Sequence, residues 1–157
     1  MAWSASAIFR STVVTWLDTP AEALDLGTDA FKVALYDNDI TPNKDDTQAN
    51  NCYNAGQWTA SGNEVSDGTE WDAAGEPLAS PAVSTGAGFV MWDATDTVSG
   101  GTSATLANVY GCLVYDDTST TPSDQGICYN YFGGVNAVTD GTFTVVWHAN
   151  GILRITV

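Results

Sequence analysis

The hydrophobic residues of the chain change their spacing near residue 31. Before that point they recur at the three- and four-residue spacing of one helix face, which predicts a helix over residues 5–17. The apolar positions of this predicted helix are Ile8, Phe9, Val13, Trp16 and Leu17. Residues 19–22 then read Thr-Pro-Ala-Glu, the pattern of a capped helix start, whereas Leu24 and Leu26 alternate as in a strand. Residues 19–26 therefore stay open between helix and strand.

Beyond residue 31, short apolar runs rich in β-branched and aromatic residues alternate with turn-forming residues, which predicts seven to nine strands. The main runs cover residues 31–36, 64–66, 78–83, 88–92, 109–115, 126–132, 142–147 and 152–157. The pairs Gly133-Gly134 and Asp140-Gly141 are predicted to break the chain between strands. No helix-length pattern separates the runs, which argues against a parallel α/β sheet.

The predicted fold class is all-β, an antiparallel β-sandwich or small barrel with an N-terminal helix or arm. The predicted organisation is an arm over residues 1–30 and a β-sandwich domain over residues 31–157. The polar stretch 37–63 is long for a loop, and its Tyr53 and Trp58 indicate that it packs onto another part of the chain. Residues 1–20 lack a basic start and are interrupted by polar residues, so they predict neither a secretory signal nor a membrane span.

The charge balance excludes two classes of partner. Nineteen acidic residues face four basic ones, Arg10, Lys32, Lys44 and Arg154, which gives a net charge of −15. Duplex DNA is bound by neutralising phosphates with Lys and Arg, and an anionic membrane repels an acidic chain. We therefore expect neither nucleic acid nor membrane as a partner. A tight partner must be met through apolar contacts or through a basic surface of its own.

The residue types that carry catalysis are sparse, so we expect no enzyme, no catalytic residue and no cofactor. His148 is the single histidine, and no positioned nucleophile accompanies it in the sequence. Acidic residues near Trp71 leave open a glycan hydrolase that uses Glu64 or Glu70, because paired carboxylates hydrolyse glycosides. The simpler interpretation of Glu64 and Glu70 is that they are solvated carboxylates in loops.

The spacing of the acidic residues and of the cysteines gives no support for a metal site or a disulfide framework. We expect no metal site, although Asp37, Asp39 and Asp45 carry the oxygen ligands that calcium prefers. The three cysteines, Cys52, Cys112 and Cys128, form no CxxC pair and no disulfide framework. Free, buried thiols are expected for Cys112 and Cys128, and a bridge between these two stays open as the alternative.

Six tryptophans in 157 residues are the strongest functional signal. Trp92 and Trp147 lie in predicted strands and are assigned to the core. Aromatic and apolar residues of the arm are predicted to contact neighbouring subunits, because Trp is enriched at interface hot spots. These predicted contact residues are Trp3, Ile8, Phe9 and Trp16. Trp58 and Trp71 in polar segments are the alternative glycan contacts.

The chain resembles a group of small virion proteins of tailed bacteriophages. The matching features are residues 32–36 (Lys-Val-Ala-Leu-Tyr) with the polar loop after them, residues 63–66 with Gly68, and Gly75 with Leu78. The C-terminal part matches through Gly133-Gly134, residues 139–146 and residues 151–155. The resemblance covers most of residues 30–157.

The resemblance implies a non-enzymatic structural role, most often as a capsid decoration (cement) protein on the outer capsid lattice. The implied partners are the major capsid protein and copies of the chain itself, as a trimer at the local three-fold points. The implied location is the capsid surface, after assembly in the host cytoplasm. The alternative is a tail component or adhesin that binds host cell-surface carbohydrate. On the capsid hypothesis, residues 1–17 are expected to be removable without unfolding the β domain.

Overall fold

The computed structural model describes residues 3–18 and 24–157 of the chain. These residues form eleven strands and two short helices, so the predicted all-β class is confirmed. The predicted capped start at residues 19–22 lies outside the described residues. The helices are α1 (Arg10–Asp18) and α2 (Gln48–Asn51). The strands are β1 (Ala7–Ile8), β2 (Phe31–Tyr36), β3 (Glu64–Val65), β4 (Glu76–Pro77), β5 (Ala82–Gly86), β6 (Phe89–Asp93), β7 (Thr97–Val98), β8 (Ala104–Thr120), β9 (Ser123–Gly141), β10 (Thr144–Val145) and β11 (Leu153–Thr156).

A long hairpin of β8 and β9 is the centre of the fold. The two strands pair antiparallel through a central register in which Leu113 lies opposite Tyr129. The sheet continues from β1 through β9, β8 and β2 to β3, and β4 also pairs with β2. All these pairings are antiparallel. The N-terminal segment therefore belongs to the same sheet as the rest of the chain, because β1 pairs with β9.

Alternation along the central strands places apolar side chains on both faces of this sheet. Successive side chains of a strand point to opposite faces, so Val33 and Ala34 enter different cores. The first core contains Phe31, Val33, Leu35, Trp71, Trp92, Cys112, Val114, Ile127 and Cys128. The second core contains Trp3, Phe9, Ala34, Tyr36, Ile40, Trp58, Leu113, Tyr115 and Tyr129. Burial on both faces explains why these strands read as continuous apolar runs.

Two small sheets cover the first core. One has the strand order β5, β6, β11, and the other pairs β7 with β10. Trp92 of β6 packs edge-on against Phe31 of β2, with ring centroids 4.9 Å apart. Trp71 packs in the same way against Phe143, just before β10. Sheets packed over one face of the central sheet give the layered arrangement of a sandwich.

The second core is covered by irregular chain instead of a sheet. Trp58, from the long polar stretch, is fully buried and packs edge-on against Tyr36 and Phe9. Tyr53 stacks on Tyr115 with ring centroids 4.8 Å apart. The prediction that residues 37–63 pack onto the chain through Tyr53 and Trp58 is confirmed.

The N-terminal helix differs from its prediction. It begins at Arg10, and Ile8 lies in β1 instead. Its buried positions are Thr12 and Thr15, whereas Leu17 is 84% exposed. Thr12 donates to the carbonyl of Gly126 at 2.6 Å, which satisfies a polar side chain inside the protein. The apolar spacing was therefore only partly informative: Trp16 packs against the first core, but the fully inward positions are threonines, one of which is hydrogen-bonded to the β9 backbone.

Two strand predictions were also wrong in their bounds. Gly133 and Gly134 do not end a strand, since β9 runs through them to Gly141. Gly133 adopts a positive φ of 82° within the strand, a conformation that glycine tolerates. The predicted strand at 78–83 is shifted to Ala82–Gly86, because Pro81 has no backbone N–H to pair just before it.

Asp67 ties the loop that carries Trp71 to β8. Its Oδ1 accepts the backbone N–H groups of Thr69, Glu70 and Trp71 at 2.8–3.1 Å. Its Oδ2 accepts the N–H of Thr105 in β8 at 3.0 Å. Burial would raise the pKa of this carboxyl, but these four donors outweigh it and hold the pKa well below its usual range.

We expect Trp3→Ala to lower the free energy of unfolding by about 3–5 kcal/mol, the usual cost of removing a buried aromatic side chain. Trp3 is fully buried, and its Nε1 donates to the carbonyl of Asp37 at 2.6 Å. Urea unfolding followed by circular dichroism measures the change. Val14→Ala, at an exposed helix position, is the control and should shift it by less than about 0.5 kcal/mol. Equal urea midpoints for wild type and Trp3→Ala would contradict the claim that Trp3 stabilises the second core.

We expect Asp67→Asn to destabilise the protein more at neutral pH than in acid. The folded-state pKa of Asp67 is depressed, so its contribution is present above the unfolded pKa of about 3.9 and fades as the pH falls below it. Urea unfolding at several pH values measures the difference between wild type and variant, which should shrink on acidification. Asp72→Asn is the control, because the Asp72 carboxylate is exposed. If the difference in free energy of unfolding between wild type and Asp67→Asn did not change with pH, the Asp67 carboxylate would not be the group that stabilises this loop.

Candidate docking groove

The structure separates the four predicted contact residues into two pairs. Trp3 and Phe9 are fully buried in the second core, so their prediction as surface contacts is wrong. Trp3 packs on β8 where Gly111 leaves space, since a Cβ at Gly111 would lie 2.5 Å from the Trp3 ring. The aromatic residues at the chain start therefore hold the protein's own fold together. Removal of residues 1–17 would open the second core, contrary to the expectation from sequence.

Ile8 and Trp16 do lie together, in an apolar groove between the N-terminal segment and the sheet of β5, β6 and β11. Both are half-buried and pack against the first core. The apolar groove is lined by Ile8, Trp16, Leu26, Val83, Val90, Trp92, Leu153, Arg154 and Ile155. It encloses about 100 Å³.

Strand register explains why one wall of the groove is apolar. Trp92 lies opposite both Val83 and Leu153, and Val90 lies opposite Ile155. Since side chains two apart share a face, these five residues form one apolar face of the three-stranded sheet. Trp92 anchors this face to the first core, and its Nε1 donates to the carbonyl of Leu26 at 2.7 Å. Farther from the core, Val83 and Ile155 stay 51% and 56% exposed.

Among the described residues that line the groove, Arg154 is the one with a charged side chain. Its guanidinium lies 4.0 Å from the centroid of the Phe89 ring, a cation–π contact. Its Nη1 donates to Asn150 Oδ1 at 2.6 Å. Arg154 and Phe89 both lie on the opposite face of the sheet from Trp92, so the guanidinium is held away from the apolar face of the groove.

The strand beside the groove presents an uncharged edge. All five residues of β5 are exposed, and none is charged. Within the described residues, β5 pairs with β6 alone, so its outer backbone groups are left unpaired by other strands. Edge strands in soluble proteins are commonly protected by charged side chains or bulges. This edge has neither device within its five residues, so it is suited to contact with another chain.

Sequence reasoning missed the groove residues contributed by β5, β6 and β11. The alternation of residues 152–157 indicated a strand, but an alternating strand has one face for the core and one for solvent. Only the pairing of β11 with β6 shows that Ile155 lies on the same face as Trp92 and is nevertheless exposed.

Trp58 and Trp71 are not available to sugars. Both are fully buried, and their predicted role as glycan contacts is wrong. Each ring packs edge-on against core aromatics, so stability of the fold accounts for these tryptophans.

The predicted catalytic alternatives have structural contacts. Glu64 is half-buried and accepts hydrogen bonds from the Tyr53 hydroxyl at 2.9 Å and the Ala74 N–H at 2.7 Å. Burial raises the pKa of Glu64, and these two donors partly offset the shift. Glu70 accepts from the Ser103 hydroxyl at 2.9 Å, and His148 Nδ1 accepts the Asn150 N–H at 3.0 Å. These contacts tie local loops together.

The three aspartates considered as calcium ligands are engaged separately. Asp45 pairs with Arg10 and Lys44, with N–O distances of 2.9 Å. Asp37 Oδ1 accepts the N–H of Asp39 at 2.9 Å. Among the described residues, no group of three or more acidic, histidine or cysteine side chains is arranged to hold a metal ion.

The three cysteines are free and buried. Cys112 and Cys128 lie on neighbouring strands, in the first core. Burial raises the pKa of Cys128 to about 12 and that of Cys112 well above its usual value. Because the thiolate is the reactive form, these two side chains act as small apolar core residues.

No protein-family model matches the chain, no curated protein matches its sequence, and no solved structure matches its fold. Among the described residues, no helix combines the length and the apolar character that a membrane span requires.

We expect the native protein to be unreactive toward Ellman's reagent at neutral pH, since all three thiols are buried. In concentrated guanidinium chloride all three should titrate. Cys52→Ala is the matched control and should release two thiols in place of three. A wild-type titre of one thiol after unfolding without reductant would instead show a Cys112–Cys128 disulfide.

Proposed function

We propose that this protein is a non-enzymatic structural component of a tailed-phage particle, a capsid decoration protein that binds the outer capsid lattice. The observation that carries the proposal is the apolar groove beside the uncharged edge of β5. A soluble acidic chain that leaves such a surface open is suited to association through it. The resemblance of residues 30–157 to small virion proteins supports the same role.

The groove favours a capsid subunit as its occupant. Another copy of this chain also carries −15, so two copies repel each other at long range. The exposed, uncharged edge of β5 beside the groove offers its backbone groups to an extended apolar segment. We therefore assign the groove to a short extended segment of the major capsid protein, which can also pair with the edge of β5.

In this proposal the copies form trimers at the local three-fold points of the capsid, because contacts with the capsid hold them there in spite of their like charge. Each contact is small, but several copies fixed on one lattice bind together far more tightly than one copy alone. The acidic surface faces outward, because it would be repelled by packaged DNA. The location is then the virion surface, reached after assembly in the host cytoplasm.

We expect Ile155→Asp to weaken binding to capsids at least about tenfold, since a carboxylate would have to be buried in the apolar groove. Capsid shells assembled from the major capsid protein of the encoding phage are incubated with purified variants and sedimented. Occupancy is then measured against protein concentration.

Val135→Asp is the matched control, because Val135 is 58% exposed on β9 and lies outside the groove. It should bind as wild type does. Circular dichroism checks that both variants fold. Equal loss in both variants would show that added charge and not the groove decides binding, and no binding of the wild type to shells would overturn the decoration role.

A further inference from the structure

A second concave surface lies away from the apolar groove, between the distal half of β9 and the strand β10. It consists of two adjoining hollows, which share Tyr131, Phe132, Val145 and Val146. Their volumes are about 380 and 210 Å³. We call this surface the aromatic hollow. It shares no lining residue with the apolar groove.

The lining combines aromatic rings with uncharged polar groups. Half-buried Phe132 and Trp147 supply the rings, both packed against the first core. Polar groups come from Ser6, Asn130, Asn136, Thr144 and His148. Ligand sites typically combine apolar walls with a few polar groups that fix orientation.

The side chains of the hollow are held in place by the surrounding fold. The Tyr131 ring stacks on buried Trp3, with centroids 6.3 Å apart and planes 20° apart. Its backbone N–H donates to the Ser6 hydroxyl at 2.9 Å. Asn136 donates from Nδ2 to the carbonyls of Val109 and Gly134 at 3.4 and 3.0 Å. The Tyr131 ring lies on the second-core face, so its contacts fix the backbone of β9 beside the hollow. The Asn136 contacts orient its amide before any ligand arrives, which lowers the entropic cost of binding.

Charge decides which ligands suit the hollow. Among the described residues, no Asp, Glu, Lys or Arg lines either part of it, although the chain has 19 acidic residues. A cation finds no carboxylate there, and an anion is repelled by the net charge of −15. The hollow therefore favours an uncharged ligand that offers both an apolar face and hydrogen-bonding groups.

From this arrangement we propose that the aromatic hollow binds neutral saccharides. The C–H face of a sugar ring stacks on Phe132 or Trp147, and its hydroxyl groups exchange hydrogen bonds with Asn136 and His148. Each of these polar side chains can serve a hydroxyl: the Asn136 Oδ1 accepts a hydrogen bond, and the His148 Nε2 is the ring nitrogen that is not bonded to the Asn150 N–H. A decoration protein would thus also attach the particle to neutral glycans.

The test is isothermal calorimetry with maltohexaose and with the hexamer of N-acetylglucosamine, on the full chain. We expect saturable binding of at least one of them. Val146→Glu should weaken it about tenfold or more, because Val146 is 71% exposed and borders both parts of the hollow. Phe132→Ala should weaken it to a similar degree by removing a stacking ring.

Val135→Glu is the matched control, since it adds the same charge at an exposed valine of β9 that lines neither hollow. It should leave the affinity unchanged, and circular dichroism checks the fold of each variant. The proposal is overturned if neither sugar binds, if Val146→Glu binds like wild type, or if a sialylated oligosaccharide binds better than the neutral ones. Binding of the peptide acetyl-Gly-Tyr-Phe-Gly-amide in place of the sugars would also overturn it, by identifying a peptide site. The capsid sedimentation assay separates this proposal from the proposed function. Val146→Glu should occupy capsids as wild type does, so a failure to bind sugars would leave the decoration role intact.

Discussion

The rest of the structure depends on a central sheet that is buried on both faces. β2, β8 and the first half of β9 send alternate side chains into two separate cores, so each face needs its own cover. The first face is covered by two small sheets, and the second by the N-terminal segment with residues 37–63. A β protein of this length can bury that much surface without metals or disulfides.

This constraint explains the distribution of aromatic residues between fold and surface. The second face lacks a covering sheet, so large rings from irregular chain fill it, among them Trp3, Phe9 and Trp58. Edge-on contacts between such rings add to the free energy gained from burying them. Tryptophans in loops are therefore needed for stability here, and the surfaces left for partners are built from smaller apolar residues and half-buried rings.

The two proposed surfaces follow from where the covering layers end. The sheet of β5, β6 and β11 extends beyond its anchor at Trp92 and leaves Val83 and Ile155 exposed, which forms the apolar groove. β9 likewise continues past the core, and beside β10 it forms the aromatic hollow. A capsid contact at one and a glycan contact at the other would let a single small protein join a particle to a sugar-coated surface.

The sequence by itself determined the all-β class, the positions of most central strands and the packing role of Tyr53 and Trp58. These follow from local rules, because strand alternation, turn residues and β-branched composition act over a few residues. It could not decide which aromatics face a partner. Trp3 and Trp16 look alike in the sequence, yet one is buried beneath residues 37–63 and the other borders an open groove. Only tertiary structure decided this, because exposure depends on long-range pairing, such as β1 with β9 and β11 with β6, that no local pattern encodes.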